Sequence, residues 1–223
     1  MELMLVVCYL LTIQIFSCIN DKKDASSLQS DIETLERWTN MWLMKFHPKK
    51  CHVLTLGKFE DIRYAHQYQV CDDLIEHVSS EKDLGIVIDE QLSFDEHICR
   101  IVHIANALVG RIRRTFTFLD EDTLKKLFIS LVRPHLEYGQ SVWSPFLMKH
   151  INMIEQVQER AKKLANGITD HDYPERLKKL GLTTLRFRRL RGDLIEMYKH
   201  FYKNDKDALT GPSSKNAIDP PAT

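Results

Sequence analysis

The chain has 223 residues, 43% of them hydrophobic, which is enough to bury the core of one large or two small domains. Its formal net charge is zero, but residues 1–97 carry 9 Lys+Arg against 17 Asp+Glu, and residues 98–203 carry 20 against 11. The second part therefore has a net charge of +9, which suggests a polyanionic partner, although solvated helix faces contribute to it. The five cysteines form an odd set without C-x-x-C spacing, which favours a reducing compartment over a disulfide framework.

The first twenty residues contain an uncharged run from Leu3 to Ile19. Its length suits a secretory segment or a short membrane span, but Glu2 stands where a signal peptide carries Lys or Arg. Its β-branched and aromatic residues equally favour a pair of buried strands. We expect an intracellular protein, cytoplasmic or nuclear, with secretion or membrane anchoring as the alternative.

The acidic part predicts a helix followed by short strands. Ser30 and Glu33 form a capping box, and apolar residues then recur at helical spacing until Pro48, with Trp38 and Trp42 expected in the core rather than available for base stacking. A strand is predicted over 51–56, a hairpin around Asp72-Asp73, and a buried strand over 84–88. The paired acids are interpreted as turn formers rather than as a metal site.

From Gln91 onward the pattern is helical. Ser93 and Glu96 predict the start of the first helix, whose apolar stripe consists of Ile98, Ile101, Val102, Ala105, Leu108, Val109 and Ile112. At 100° per residue, the face opposite this stripe carries four basic or titratable residues, Arg100, His103, Arg111 and Arg114. This coherent positive surface predicts contact with nucleic-acid phosphates.

Four further helices are predicted. One begins at Asp120–Asp122, directs Leu124, Leu127, Phe128 and Leu131 inward, and ends at Arg133-Pro134. The others cover about 149–166, 174–180 and 184–202, before a disordered tail over 204–223. On the last helix, the inward face is predicted to be Phe187, Leu190, Leu194, Met197, Tyr198 and Phe201, with Arg188 and Arg189 pointing outward and Arg186 beside the stripe.

Three blocks of the sequence resemble the distal half of the reverse transcriptases of non-LTR, LINE-type retrotransposons. They are WTNMWLMKFHPKKCHVLTLGK (38–58), SSEKDLGIVIDEQLSFDEHI (79–98) and SLVRPHLEYGQSVWSPF (130–146), and they occur in the order of that family. The resemblance implies an α+β protein in which residues 1–90 are the end of a polymerase palm and residues 91–203 a helical thumb. It also implies that the segment Asp83 to Asp89, with Leu84 and Gly85, is a hairpin similar to the primer grip.

The same family carries a Tyr/Phe-Ala-Asp-Asp signature ahead of the Trp-containing helix. Without gaps, its Tyr aligns with Tyr9 and its two Asp align with Leu11 and Thr12. Nucleotidyl transfer uses two Mg²⁺ ions, which require anionic oxygen ligands, and Leu11 offers none while Thr12 offers one neutral hydroxyl. We therefore expect a truncated, catalytically incomplete remnant with no catalytic residues, no metal and no cofactor of its own.

Three functional hypotheses stay open. The first is an inactive remnant of a reverse transcriptase that retains weak, sequence-independent nucleic-acid binding through Arg100, Arg111 and Arg114, and through Arg186, Arg188 and Arg189. The second is a nucleic-acid or protein-binding module, in which another protein covers the exposed edge of the palm sheet. The third is a secreted or membrane-tethered helical protein. No small-molecule ligand is predicted, and the scattered histidines are interpreted as surface or hydrogen-bonded groups.

Overall fold

The structure of the chain is a computed structural model that describes residues 2–8, 13–19, 21–44, 47–57, 66–165 and 173–210. The chain divides into two compact units, Met1–His97 and Ile98–Thr223. The described part of the first contains strands and one long helix, and that of the second is helical. The predicted α+β class is confirmed, whereas the boundary at residue 90 and the identity of the units as palm and thumb stay predictions.

The uncharged N-terminal run forms a β-hairpin. Strand β1 (Glu2–Cys8) pairs antiparallel with β2 (Ile13–Ile19), from Glu2 opposite Ile19 to Cys8 opposite Ile13. β-branched residues are frequent in this run and favour extended backbone. Of the two interpretations of the run, the strand pair is therefore the one observed. No helix within the described ranges has the length and apolarity needed to cross a membrane.

Helix α1 (Lys22–Met41) begins eight residues before the predicted start at Ser30. The Asp21 carboxylate caps it by accepting hydrogen bonds from the backbone amides of Lys23 (2.7 Å) and Asp24 (2.9 Å). The capping-box interpretation of Ser30 is wrong because the apolar spacing of Ala25, Leu28 and Ile32, all buried, already belongs to the helix.

The main sheet of the first unit consists of four described strands in the order β2-β1-β3-β6. Strand β3 (Cys51–Leu56), which follows a 3₁₀ turn at Pro48–Lys50, runs antiparallel to β1 and parallel to β6 (Glu76–His77). Helix α1 covers the sheet, and the shared core contains Ile19, Ala25, Leu28, Ile32, Cys51, Val53, Tyr68, Val70 and Ile75. The prediction of a strand over 51–56 is confirmed.

Two small hairpins complete this unit. Strands β4 (Gln69–Val70) and β5 (Asp73–Leu74) are joined by Cys71 and Asp72, both at positive φ (51° and 65°), so Asp72 occupies the predicted turn. Strands β7 (Ser80–Asp83) and β8 (Ile86–Asp89) are joined by Leu84 and Gly85, at φ 45° and 90°. The strand predicted over 84–88 therefore begins two residues later, because positive φ at both residues forms the tight turn of a two-residue hairpin.

The Asp89 carboxylate organises the loop between β8 and α2 (Asp95–Thr115). It accepts hydrogen bonds from the backbone amides of Gln91 (3.1 Å), Ser93 (3.0 Å) and Phe94 (2.7 Å), and from the Ser93 hydroxyl (3.1 Å). Ser93 Oγ accepts from the Asp95 amide at 3.3 Å, as a capping residue should, but the Glu96 carboxylate accepts from the Ser80 hydroxyl (3.4 Å). The predicted capping box is thus only half formed.

The next helical segment passes through the proline predicted to end it. Helix α3 (Glu121–Leu127) is capped by Asp120, whose carboxylate accepts from the Thr123 amide at 3.0 Å. A π-helical turn over Phe128–Val132 then leads into α4 (Arg133–Glu137), with Pro134 in its first turn. The π turn directly before Pro134 supplies the irregularity in the hydrogen-bond ladder that a proline without an N–H needs inside a helical segment. Leu131, predicted to face inward, is exposed.

The second unit continues with four helices among the described residues. They are α5 (Gln140–Trp143), α6 (Met148–Lys162), α7 (Tyr173–Lys179) and α8 (Leu185–Thr210). Helix α8 extends past Tyr202 into the segment predicted as a disordered tail. It continues to Thr210, and the rest of the predicted tail, residues 211–223, lies outside the described residues.

The three tryptophans have different environments. Trp143 is buried, and its indole N–H donates to the Tyr138 carbonyl at 2.7 Å. Trp38 and Trp42, predicted to lie in the core, are 44% and 39% exposed, with ring centroids 6.2 Å apart. At this end of α1 the buried position is Thr39, which is 1% exposed, so Trp38 lies one residue away from the packed face.

Candidate nucleic-acid interface

Helix α2 presents one apolar and one basic face. Ile98, Ile101, Val102, Ala105, Val109 and Ile112 are buried, which confirms the predicted stripe. Arg100, His103, Arg111 and Arg114 are exposed on the opposite side, as the helical period requires. Within the described part of the chain, no hydrogen bond or ion pair involves the guanidinium groups of Arg100, Arg111 or Arg114. Their charges are therefore available to an external anion.

The surface between Arg100 and Arg111 is formed by His103 and by smaller residues. Ala107 is exposed, and a methyl group added at Gly110 would meet no atom within 4 Å. At 1.5 Å of rise per residue, Arg100 and Arg111 lie about 16 Å apart along the helix axis. An extended polyanion can therefore lie along this face and contact His103 between the two arginines.

Helix α6 adds one arginine that the sequence interpretation missed. The exposed Arg160 donates from Nη1 to the Asn106 side-chain oxygen at 3.0 Å, which fixes its guanidinium beside α2. Helical spacing could not reveal this residue, because it belongs to a different helix. The basic face of α2, defined here as Arg100, Arg111 and Arg114, is thereby extended on the side of Asn106.

The predicted orientation of α8 is wrong. All six residues of the predicted inward face are exposed: Phe187, Leu190, Leu194, Met197, Tyr198 and Phe201. The face that packs contains instead Leu185, which is buried, and Gly192, where an added methyl group would lie 1.9 Å from Gln140 Nε2. The orientation of α8 therefore follows the close contact with α5 at Gly192 and the polar contacts with neighbouring helices, and it leaves the larger apolar stripe exposed.

Of the three α8 arginines predicted to contact nucleic acid, one is paired with a carboxylate and one is buried. Arg188 forms a two-point ion pair with the Glu137 carboxylate, from Nε to Oε1 and from Nη2 to Oε2 (3.1 Å). Arg189 is only 4% exposed, and its burial lowers the pKa of the guanidinium, although Glu155 and Asp193 act to raise it. Only Arg186 keeps the exposed position that phosphate contact needs.

Leu84 and Gly85, the two residues compared with the primer grip, lie at the tip of the β7–β8 hairpin. Leu84 is 68% exposed and adopts a left-handed backbone conformation, which is uncommon for a residue with a side chain. Gly85 follows at φ 90°. The hairpin shape agrees with the resemblance, and the role of Leu84 and Gly85 in holding a primer stays a prediction.

The positions aligned with the polymerase acid pair, Leu11 and Thr12, connect β1 to β2 and lie outside the described residues. Their chemistry does not fit a pair of Mg²⁺ ions, since neither side chain supplies a carboxylate. Within the described ranges there is also no group of three or more His, Cys, Asp or Glu residues that could hold a metal ion. No catalytic step through Mg²⁺ is therefore assigned to this chain.

Comparison with curated proteins identifies distant relatives. The chain is 24% identical over 154 residues to the RNA-directed DNA polymerase from mobile element jockey of Drosophila funebris, covering 68% of this chain and 16% of that protein. It is 24% identical over 151 residues to the jockey polymerase of Drosophila melanogaster, covering 64% and 16%. It is 25% identical over 162 residues to the probable RNA-directed DNA polymerase from transposon BS of the same species, covering 70% and 17%.

The matched region spans about a sixth of the length of these relatives. No family model matches the chain, and no solved structure matches it. The three matches, all to RNA-directed DNA polymerases of mobile elements, nevertheless bear out the predicted resemblance. The chain is accordingly a relative of the RNA-directed DNA polymerases of non-LTR retrotransposons.

Proposed function

We propose that the chain is a catalytically incomplete relative of a retrotransposon reverse transcriptase that binds RNA or DNA without sequence specificity. In this proposal residues 1–90 correspond to the end of the palm and residues 91–203 to the thumb. The observation that carries the proposal is the basic face of α2, whose three arginines are exposed and lack ion pairs among the described residues. Cations on such a face bind phosphates by releasing condensed counterions.

Binding through this face should be strongly salt-dependent and tolerant of sequence. We expect the purified chain to bind a fluorescent single-stranded 20-mer, with a logarithm of the affinity that falls linearly with the logarithm of the salt concentration. Two 20-mers of unrelated sequence should bind with the same affinity. The change Ala107→Glu places a negative charge between the arginines and should abolish most of this binding, whereas Ala107→Gln should preserve it. Salt-independent binding, or equal affinity of the two variants, would contradict the proposal.

Strand synthesis is not part of the proposal. The same protein preparation should leave an annealed primer unextended with either Mg²⁺ or Mn²⁺, because Leu11 and Thr12 lack the carboxylates that hold these ions. Primer extension by the purified 223-residue chain would show that other residues complete the metal site.

A protein-binding module is the second candidate function. It is favoured by the apolar side chains that α8 exposes, among them Leu194, Tyr198 and Phe201, because monomeric proteins rarely expose large contiguous apolar patches. The simplest occupant of this face is the same face of a second copy. Sedimentation should then show concentration-dependent dimers that the double change Leu194→Glu/Tyr198→Glu abolishes, and a monomer at every concentration would refute this candidate.

A further inference from the structure

The second unit contains a cavity of about 370 Å³ between α4, α8 and the residues that follow α7. Its volume falls within the range of small-molecule sites in proteins. Its lining combines charged residues, here called the charged side, with apolar residues, here called the apolar side, and this combination is the character of a site for an amphipathic ion rather than for a neutral apolar molecule.

The charged side contains three arginines and one carboxylate. Arg133 and Glu137 come from α4, and Arg188 and Arg191 come from α8. Glu137 is bound to Arg188 at two points, while its distance to Arg133 Nε is 3.7 Å. Arg191 is exposed and makes no ion pair or hydrogen bond within the described ranges. The cavity therefore carries an excess of two positive charges.

The pKa shifts of Arg133 and Arg188 agree with this geometry. The hydrogen bonds that Arg188 donates to the Glu137 carboxylate raise the pKa of Arg188. Burial, followed by the nearby charge of Arg188, lowers the pKa of Arg133, and Glu137 offsets this only in part. The single carboxylate is thus mainly committed to Arg188. A further anion in the cavity would stabilise the charged form of Arg133.

The apolar side is formed by aliphatic and aromatic side chains. Leu182, Phe187 and Ile195 line the cavity, and the Phe187 ring is 56% exposed. An exposed phenylalanine ring beside arginines is a suitable surface for an aromatic base, since bases stack on such rings irrespective of their sequence. A ligand that carries both an aromatic ring and a compact anion would use both sides at once.

We propose that this cavity binds a nucleoside phosphate monoester, either as a free nucleotide or as the phosphorylated end of a strand. A phosphate monoester carries about −1.5 to −2 charges at neutral pH, which matches the excess of two, whereas an internal phosphodiester carries one. Guanidinium groups also match phosphate oxygens in two-point geometry. The site is separate from the basic face of α2, and it recognises a strand terminus or nucleotide rather than a continuous backbone.

Adenosine 5′-monophosphate, adenosine and inorganic phosphate test the proposal by calorimetry. The monophosphate should bind, and adenosine should bind at least about tenfold more weakly, because it lacks the charge-assisted contacts. Arg191→Gln should weaken monophosphate binding about tenfold. Lys199→Gln is the matched control, since Lys199 is exposed on the same helix but does not line this cavity, and it should change the affinity less than twofold.

A second variant tests the apolar side. Phe187→Ala should weaken monophosphate binding while leaving the binding of inorganic phosphate unchanged, because only the base contacts the ring. Absence of monophosphate binding to the folded wild-type chain, or equal affinities of the wild type and Arg191→Gln, would overturn the proposal. Circular dichroism of each variant verifies that its fold is retained.

The two sources of the ligand are distinguished with oligonucleotides. A 10-mer with a 5′-phosphate should bind more tightly than the same 10-mer with a 5′-hydroxyl if strand ends are the ligand, and Arg191→Gln should remove the difference. Equal affinity of the two 10-mers, with monophosphate binding intact, identifies a free nucleotide. Because the 5′-hydroxyl 10-mer reports on the face of α2 and the monophosphate on the cavity, failure of either proposal is observed separately.

Discussion

Replacing Arg100, Arg111 and Arg114 together by glutamine is expected to weaken single-stranded oligonucleotide binding about 100-fold near 0.1 M salt. Each phosphate contact with a single strand contributes a slope of about −0.7 in a plot of log affinity against log salt, which corresponds to about fivefold at that concentration. The triple variant should therefore also reduce the magnitude of the slope by about 2. Fluorescence anisotropy over a range of salt concentrations measures both quantities.

The matched control replaces three exposed lysines elsewhere in the same unit. Lys126, Lys163 and Lys178 lie on α3, after α6 and on α7, and their change to glutamine alters the net charge by the same amount. If general attraction to a positively charged unit caused binding, the two triple variants would lose affinity equally. A loss confined to the α2 variant assigns binding to that face, and its thermal midpoint should stay unchanged because the three arginines make no internal contacts among the described residues.

Replacing Asp89 by alanine is expected to destabilise the first unit by about 3 kcal/mol. The substitution leaves the amides of Gln91, Ser93 and Phe94 without their acceptor, and hydrogen bonds to a charged group contribute about 1.5–3 kcal/mol each when partners are buried. Because the loop is partly exposed, water can replace some of these hydrogen bonds, and the loss of stability stays below the sum of their separate contributions. Urea denaturation of Asp89→Ala and of the control Asp83→Ala, whose carboxylate has no hydrogen bond in the described residues, measures the difference.

The contribution of Asp89 should also depend on pH. Burial alone would raise the pKa of Asp89, but hydrogen bonds from the Ser93 and Phe94 amides, the Ser93 hydroxyl and the Gln91 amide outweigh it and lower that pKa. A group whose pKa is lowered by folding stabilises the native state above its unfolded pKa of about 4, and this stabilisation is lost as the pH falls through the folded value. The stability difference between wild type and Asp89→Ala should therefore be full at pH 6 and shrink toward pH 3. A difference that is constant over this range would show that the carboxylate charge is irrelevant.

The elements with a strong apolar period were predictable from sequence. The stripe of α2 spans four turns without interruption, so its buried face and the exposed positions of Arg100, Arg111 and Arg114 follow from the 3.6-residue repeat. Strand β3 was likewise defined by its apolar residues between Pro48 and Gly57. Local patterns of this kind determine local structure because they need no knowledge of which other element packs against them.

The sequence predictions are wrong where contacts between distant parts of the chain determine the orientation or the start of a helix. In α8 the largest apolar residues were expected to face inward, but Arg188 pairs with Glu137, 51 positions earlier in the sequence, and Gly192 permits close contact with Gln140. In α1 the start was predicted at Ser30, but the helix begins at Lys22 after the capping residue Asp21, and Ala25 and Leu28 pack in the core. The cavity between α4 and α8 was missed for the same reason, since its arginines are far apart in the sequence.

The π-helical turn at Phe128–Val132 determines the direction in which the side chains after it project from the same helical segment. A π turn accommodates one extra residue, and each residue rotates the helix by about 100°. Arg133 and Glu137 therefore project about a quarter-turn away from the direction that an uninterrupted helix from Glu121 would give them. The charged wall of the α4–α8 cavity thus depends on an uncharged backbone irregularity: a regular α-helical turn of the same five residues would redirect both side chains without altering either of them.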